Sequence, residues 1–121
     1  MNSYGSTMTK AHYGHRSLDV ACELEAGAAG AQRVEWRRLR EEAGLGTEAI
    51  LGGARMWLRA DAWEAADDLA RREAGCCGFL DLDVIVEQNR VRIDITSPAV
   101  GADPVIAALA GIESDGAPDC G

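Results

Sequence analysis

Residues 79–96, FLDLDVIVEQNRVRIDIT, decide the fold. Leu80, Leu82, Val84 and Val86 recur at the two-residue period of a half-buried strand, and Val91, Ile93 and Ile95 repeat the pattern on the return. Glu87 to Arg90 supply the turn between them. An antiparallel hairpin with one apolar face needs a layer to cover that face, which points to helices packed on a sheet.

On the C-terminal side, Asp103 before Pro104 reads as the cap of a short last helix carrying Val105, Ile106 and Leu109. On the N-terminal side, Asp61 reads as a helix cap, with Glu64 three residues on as in a capping box. Ala62, Ala65, Ala66 and Leu69 then form a helical stripe, and one more turn reaches Glu73 and the doublet Cys76-Cys77. Residues 48–60, EAILGGARMWLRA, read as one strand started or interrupted at Gly52-Gly53, with Ala54, Met56 and Leu58 inward and Arg55, Trp57 and Arg59 outward. A first helix spans about Glu25 to Ala43, with Ala29, Trp36, Leu39 and Ala43 near one face, and stops at Gly44 and Gly46. Before it, SLDVACEL alternates as a strand with Leu18, Val20, Cys22 and Leu24 inward. The expected order is β-α-β-α-β-β-α. That is an α/β (α+β) two-layer sandwich: a four-stranded, mainly antiparallel, ferredoxin-like sheet with helices on one face.

The chain of 121 residues suits one domain, expected at 17–112. Residues 1–16 have almost no aliphatic side chains and read as a flexible arm; 113–121 read as an acidic tail. A net charge of −8 opposes nucleic acid and anionic lipid, despite the local run Arg33, Arg37, Arg38 and Arg40. No apolar run reaches bilayer length and no signal-peptide pattern opens the chain, so the expected compartment is the cytoplasm.

Four cysteines are present, and adjacent Cys76 and Cys77 join to each other only with strain. Reduced thiols are expected. At the end of the second helix, Glu73 stands three and four residues before them and projects from the same stripe. The negative end of the helix and this carboxylate both oppose thiolate formation, hence plain nucleophilic attack. A soft cation displaces the thiol protons itself, so metal coordination escapes the objection. Cys22, inward on the first strand, offers a third sulfur. The expected metal set is Cys22, Cys76, Cys77 and Glu73, for an ion of the Hg, Zn or Cu class or an organometal.

The segments ACELEAG, VEWRRLREEA, REAGCCGFLDLDV and VRIDITSPAVGADPVIAALAG resemble a loosely annotated family of small actinobacterial domains associated with mercury-resistance-type regulators. The likeness covers about residues 18–112 and rests on Cys22, Trp36, Glu73, Cys76-Cys77, Phe79 and Pro98. In that family the doublet is often followed by two aromatics, whereas Gly78, Phe79 and Leu80 follow it here. The resemblance implies a thiophilic-metal role and no catalytic assignment.

Other readings stay open. Small thiols can simply fill a tight helix-to-strand junction beside Gly75 and Gly78. A cofactor-free enzyme (cyclase, isomerase or lyase) could use Glu73 as acid or base and Cys76 or Cys77 as nucleophile or acid, in a pocket beneath the helices. Arg55, Trp57, Arg59, Asp81, Asp83, Arg92 and Asp94 share the outer sheet face, which is either solvated, a homodimer or protein-interaction surface, or a platform for an acidic ligand. Asp81 and Asp83, two apart, could bind a hard cation or serve as acid and base. His12 and His15 fall in the expected arm and carry no assigned role. Cys120 reads as an incidental tail thiol, and Trp36 and Trp63 as core or interface anchors.

Overall fold

The computed structural model describes residues 9–20 and 26–112. Five strands and three helices alternate along them: β1 (Thr9–Tyr13), α1 (Ala26–Ala43), β2 (Gly44–Ile50), β3 (Gly53–Arg59), α2 (Trp63–Cys76), β4 (Asp81–Glu87), β5 (Arg90–Thr96) and α3 (Asp103–Ala110). The strands form one antiparallel sheet in the order β1-β4-β5-β3-β2. Inward residues such as Met56, Leu58, Leu82, Val84, Ile93 and Ile95 join Trp36, Leu69, Ile106 and Leu109 of the helices in one core. The α+β architecture is therefore as the periodicities imply.

The central hairpin follows its pattern closely. Gln88 and Asn89 connect β4 to β5 with φ of +52° and +62°. Two successive positive φ values make the hairpin turn whose twist matches the flanking strands. The register sets Leu82 opposite Ile95 and Val84 opposite Ile93, so both strands present their aliphatic side chains to the helices together.

The sheet has five strands where four were expected, for two reasons. Residues 44–59 are a second hairpin rather than one interrupted strand: Gly52, at φ +80°, reverses the chain between β2 and β3. Gly53 lies so close to β5 that a Cβ there would come within 1.9 Å of the Ile95 carbonyl oxygen. Second, residues 9–13 are a strand, not part of an arm. β1 pairs along β4, with Ala11 opposite Val84 and Tyr13 opposite Leu82. Its hold comes from the backbone ladder and from the Tyr13 hydroxyl donating to Asp67 Oδ1 at 2.5 Å, which a search for aliphatic runs does not register. The strand expected over residues 17–24 is not seen in its described part: Leu18 is 63% exposed and Val20 is also exposed. Its remainder, with Cys22 and Leu24, lies outside the described residues, as do 1–8 and the expected tail 113–121 with Cys120.

These strands do not take the expected ferredoxin-like order. The unit β3-α2-β4 does bracket another strand, β5, but β1-α1-β2 runs from one edge of the sheet to the other. Both expected helix caps also shift. Asp61 lies within a 3-10 turn, Ala60–Ala62, and pairs with Arg59 at 3.2 Å, while Ala62 precedes α2. Asp103 is itself the first residue of α3, after Ala102. Ala62 (φ −89°, ψ 4°) and Ala102 (φ −76°, ψ −20°) are already turned, so neither helix is entered through the extended residue that side-chain capping requires. Ala65, placed on the inner stripe of α2, is exposed. Among the described residues no helix is long and apolar enough to cross a membrane.

Phe79 is 1% exposed at the junction between α2 and β4, whereas Leu51 at the β2-β3 turn is fully exposed. Phe79→Ala is expected to lower the unfolding free energy by about 3–5 kcal/mol, and Leu51→Ala to change it by less than about 0.5 kcal/mol, in urea titrations.

Candidate functional site

The inner stripe of α2, entered after buried Ala62, runs Ala66, Leu69, Ala70, then Glu73 and Cys76. That of α1 runs Gln32, Trp36, Leu39, Ala43, spaced four, three and four residues apart. Each apolar stripe carries one polar side chain, and the two meet. Trp36 Nε1 donates to Glu73 Oε1 at 2.7 Å, and Gln32 Nε2 donates to the same oxygen at 2.9 Å. Glu73 is 4% exposed, and burial at that depth requires donors in place of water.

The other carboxylate oxygen faces the thiols. Cys77 Sγ donates to Glu73 Oε2 at 2.9 Å, and Cys76 Sγ lies 3.7 Å from it. Gln32 Nε2 also reaches Cys76 Sγ at 3.2 Å. The sulfurs are 3.6 Å apart, far beyond the about 2.05 Å of a disulfide, so this pair is reduced. Both cysteines are buried. One ligand atom from each of Glu73, Cys76 and Cys77 falls within 4.8 Å of the other two. Of the expected set, these three converge; Cys22 lies outside the described residues. Gln32 was not among the sequence candidates. The signal for it was a glutamine four residues before Trp36 on an otherwise apolar stripe, matching the interruption by Glu73 on α2.

Local backbone bonds hold the doublet in place. The Cys77 amide closes the last turn of α2 on the Glu73 carbonyl at 2.8 Å, and the Leu80 amide bonds back to the Cys77 carbonyl at 3.2 Å. Arg16 crosses the helix end: its Nη2 donates to the Ala74 and Gly75 carbonyls at 2.9 and 3.0 Å, a cation at the negative pole of α2. The amides of Arg16 and Ser17 both bond to the Gly78 carbonyl. The two helices are stapled on the outside by Arg72. It makes a two-pronged ion pair with Glu35 at 2.8 and 2.9 Å and a third contact with Asp68 at 3.0 Å. The Arg72 hydrogen bonds hold the Glu35 carboxyl below the usual carboxylate range.

The outer sheet face is internally paired. Arg55 forks onto Asp94 at 2.8 and 3.2 Å, Arg92 bonds Glu87 at 2.7 Å, and Arg90 stacks 4.1 Å from the Trp57 ring centre. Asp81 and Asp83 are engaged by the histidines expected to be idle. His12 Nδ1 lies 2.6 Å from Asp83 Oδ1, and His15 bonds Asp81 through its amide at 2.7 Å and its Nδ1 at 2.9 Å. The antiparallel register places His12 opposite Asp83, which the sequence alone could not show without β1. Among the described residues, one cleft lies between α1 and α2 around Glu35, Arg38, Asp68 and Arg72, and another between the β2-β3 turn and α3 around Ile50, Gly53, Pro104 and Ile112. Neither is lined by Glu73, Cys76 or Cys77, so neither is the pocket that the enzyme reading places beside them.

No protein-family model matches the chain, and neither a curated protein nor a solved structure resembles it detectably.

Two measurements test this construction. Trp36→Phe keeps an apolar ring but leaves Glu73 Oε1 with one donor fewer, and is expected to cost about 1–3 kcal/mol in urea unfolding. The Glu35–Arg72 pair predicts an acid dependence. Because the folded state favours ionised Glu35, its contribution is present above the unfolded carboxyl's titration range and is lost as pH falls through the lowered folded value. The stability gap between wild type and Arg72→Ala should therefore close on acidification.

Proposed function

We propose that the protein binds a thiophilic metal ion or an organometal through Cys76, Cys77 and Glu73, as a noncatalytic thiol-dependent domain. The carrying observation is the convergence of two sulfurs and one carboxylate oxygen within 4.8 Å in a buried junction. Thiolates select soft and borderline cations, and binding would release the thiol protons that now point at Glu73 and its backbone. The resemblance we read in residues 18–112 to domains of mercury-resistance surroundings is part of this proposal and points the same way. In this reading the protein works in the reducing cytoplasm, where adjacent thiols stay available, and Cys22 is the further sulfur to test.

Titration of the reduced protein with Zn(II), Hg(II) and a monoalkyl mercurial, followed by native mass spectrometry, is the direct test. One ion per chain should be retained by wild type and lost in the Cys76→Ser, Cys77→Ser double variant. Wild-type retention in that double variant would end the proposal. A weaker complex in Cys22→Ser would add Cys22 to the ligands.

A further inference from the structure

The arrangement of donors around the thiols also bears on which class of ion it suits, and this step rests on the metal-binding reading above. We infer that the site takes a divalent ion of the zinc and cadmium class through a bent sulfur-sulfur-oxygen set, with Glu73 as a true ligand.

The sulfur separation comes first. With metal-thiolate bonds of about 2.3 Å, sulfurs 3.6 Å apart subtend an angle of about 103° at the metal, close to tetrahedral. A linear sulfur-metal-sulfur unit with the same bonds would need them about 4.6 Å apart, roughly 1 Å further than they stand. Neither sulfur is loose: Cys76 Sγ is bonded to Gln32 Nε2 and to the Glu73 carbonyl, and Cys77 Sγ to Glu73 Oε2. The two thiol donations end with the thiol protons whatever the ion, but the Gln32 donation to Cys76 Sγ survives deprotonation and both sulfurs are buried, so spreading them to the linear geometry would displace packed core atoms.

The carboxylate comes second. Glu73 Oε2 sits 2.9 and 3.7 Å from the two sulfurs, bracketing the about 3.5 Å edge of a tetrahedron with one oxygen and two sulfur ligands. Its partner oxygen is occupied by Trp36 and Gln32, so the carboxylate is oriented to offer one oxygen only. This is the arrangement in which hydrogen bonds from outside the ligand shell aim a ligand. Carboxylate oxygen adds little to Hg(II) or Cu(I), which are satisfied by two thiolates, whereas zinc-class ions accept oxygen and sulfur together. Two thiolates and a carboxylate leave a divalent ion with one excess negative charge. The Arg16 guanidinium on the last carbonyls of α2 brings a positive charge to the same end of the helix.

Cobalt(II) substitution reads both geometry and ligands. Wild-type protein with Co(II) should give the intense visible bands of a four-coordinate ion and near-ultraviolet sulfur-to-cobalt charge transfer, both erased by one equivalent of Zn(II). Glu73→Gln should keep the charge transfer of two thiolates while binding Co(II) and Zn(II) at least about tenfold more weakly, and should leave Hg(II) binding unchanged. Trp36→Phe serves where Glu73→Gln fails to fold, and should likewise weaken Zn(II) but not Hg(II). Zn(II) affinity unchanged in Glu73→Gln, or equal losses for Zn(II) and Hg(II) in Trp36→Phe, overturns the inference while leaving thiol-dependent binding intact. Charge transfer surviving in the Cys76→Ser, Cys77→Ser double variant would overturn both.

Discussion

The hydrogen bond from Trp36 Nε1 to Glu73 Oε1 is the contact on which the arrangement around the thiols depends. A carboxylate at this depth is tolerable only if protein donors replace its hydration, and removing one partner of such a buried charged group is among the more damaging changes a core can suffer. Trp36 is itself fully buried, so its indole fixes the rotation and height of α1 against α2. Gln32, one turn earlier, bonds both Glu73 and Cys76 and so couples the helix pair to the doublet. The thiols stand where they do because Glu73 is held, and Glu73 is held because α1 presents two donors at that level.

The sheet contributes differently. The inner face of β3, β4 and β5 is apolar and packs on the helices, while the outer face pairs its polar groups: Arg55 with Asp94, Arg92 with Glu87, His12 with Asp83, His15 with Asp81. Such pairs add little stability individually, but the two histidine contacts hold β1 and the chain after it along the edge of β4. The same stretch continues into Arg16 and Ser17, which clamp the backbone around Gly75 and Gly78. A segment with little hydrophobic content is thus ordered by many polar contacts to elements already folded.

The residues differ in how openly they announced these roles. Glu73, Cys76 and Cys77 were legible because they lie within one turn of each other, so a helix alone puts them together. The β4-β5 hairpin was legible from strict alternation, and its turn needed only two residues. The β2-β3 hairpin was read as one strand because Leu51-Gly52 is short and both arms share its character. Asp61 and Asp103 carried the composition of caps, but the chain enters α2 and α3 already turned. Gln32 went unnoticed since a single glutamine on a helix is ordinary until its partner is known.

Periodicity and residue type by themselves determined the layers: an antiparallel sheet, helices on one side, and a carboxylate beside two thiols at a helix end. These are short-range properties, settled by geometry over a turn or a strand. Only the tertiary structure decided that Gln32 and Trp36 donate to Glu73, across 41 and 37 residues, and that His12 meets Asp83 across 71. Such meetings depend on the register and crossing of whole elements. That register is set by the summed packing of the core and leaves no trace in the local pattern of any one segment.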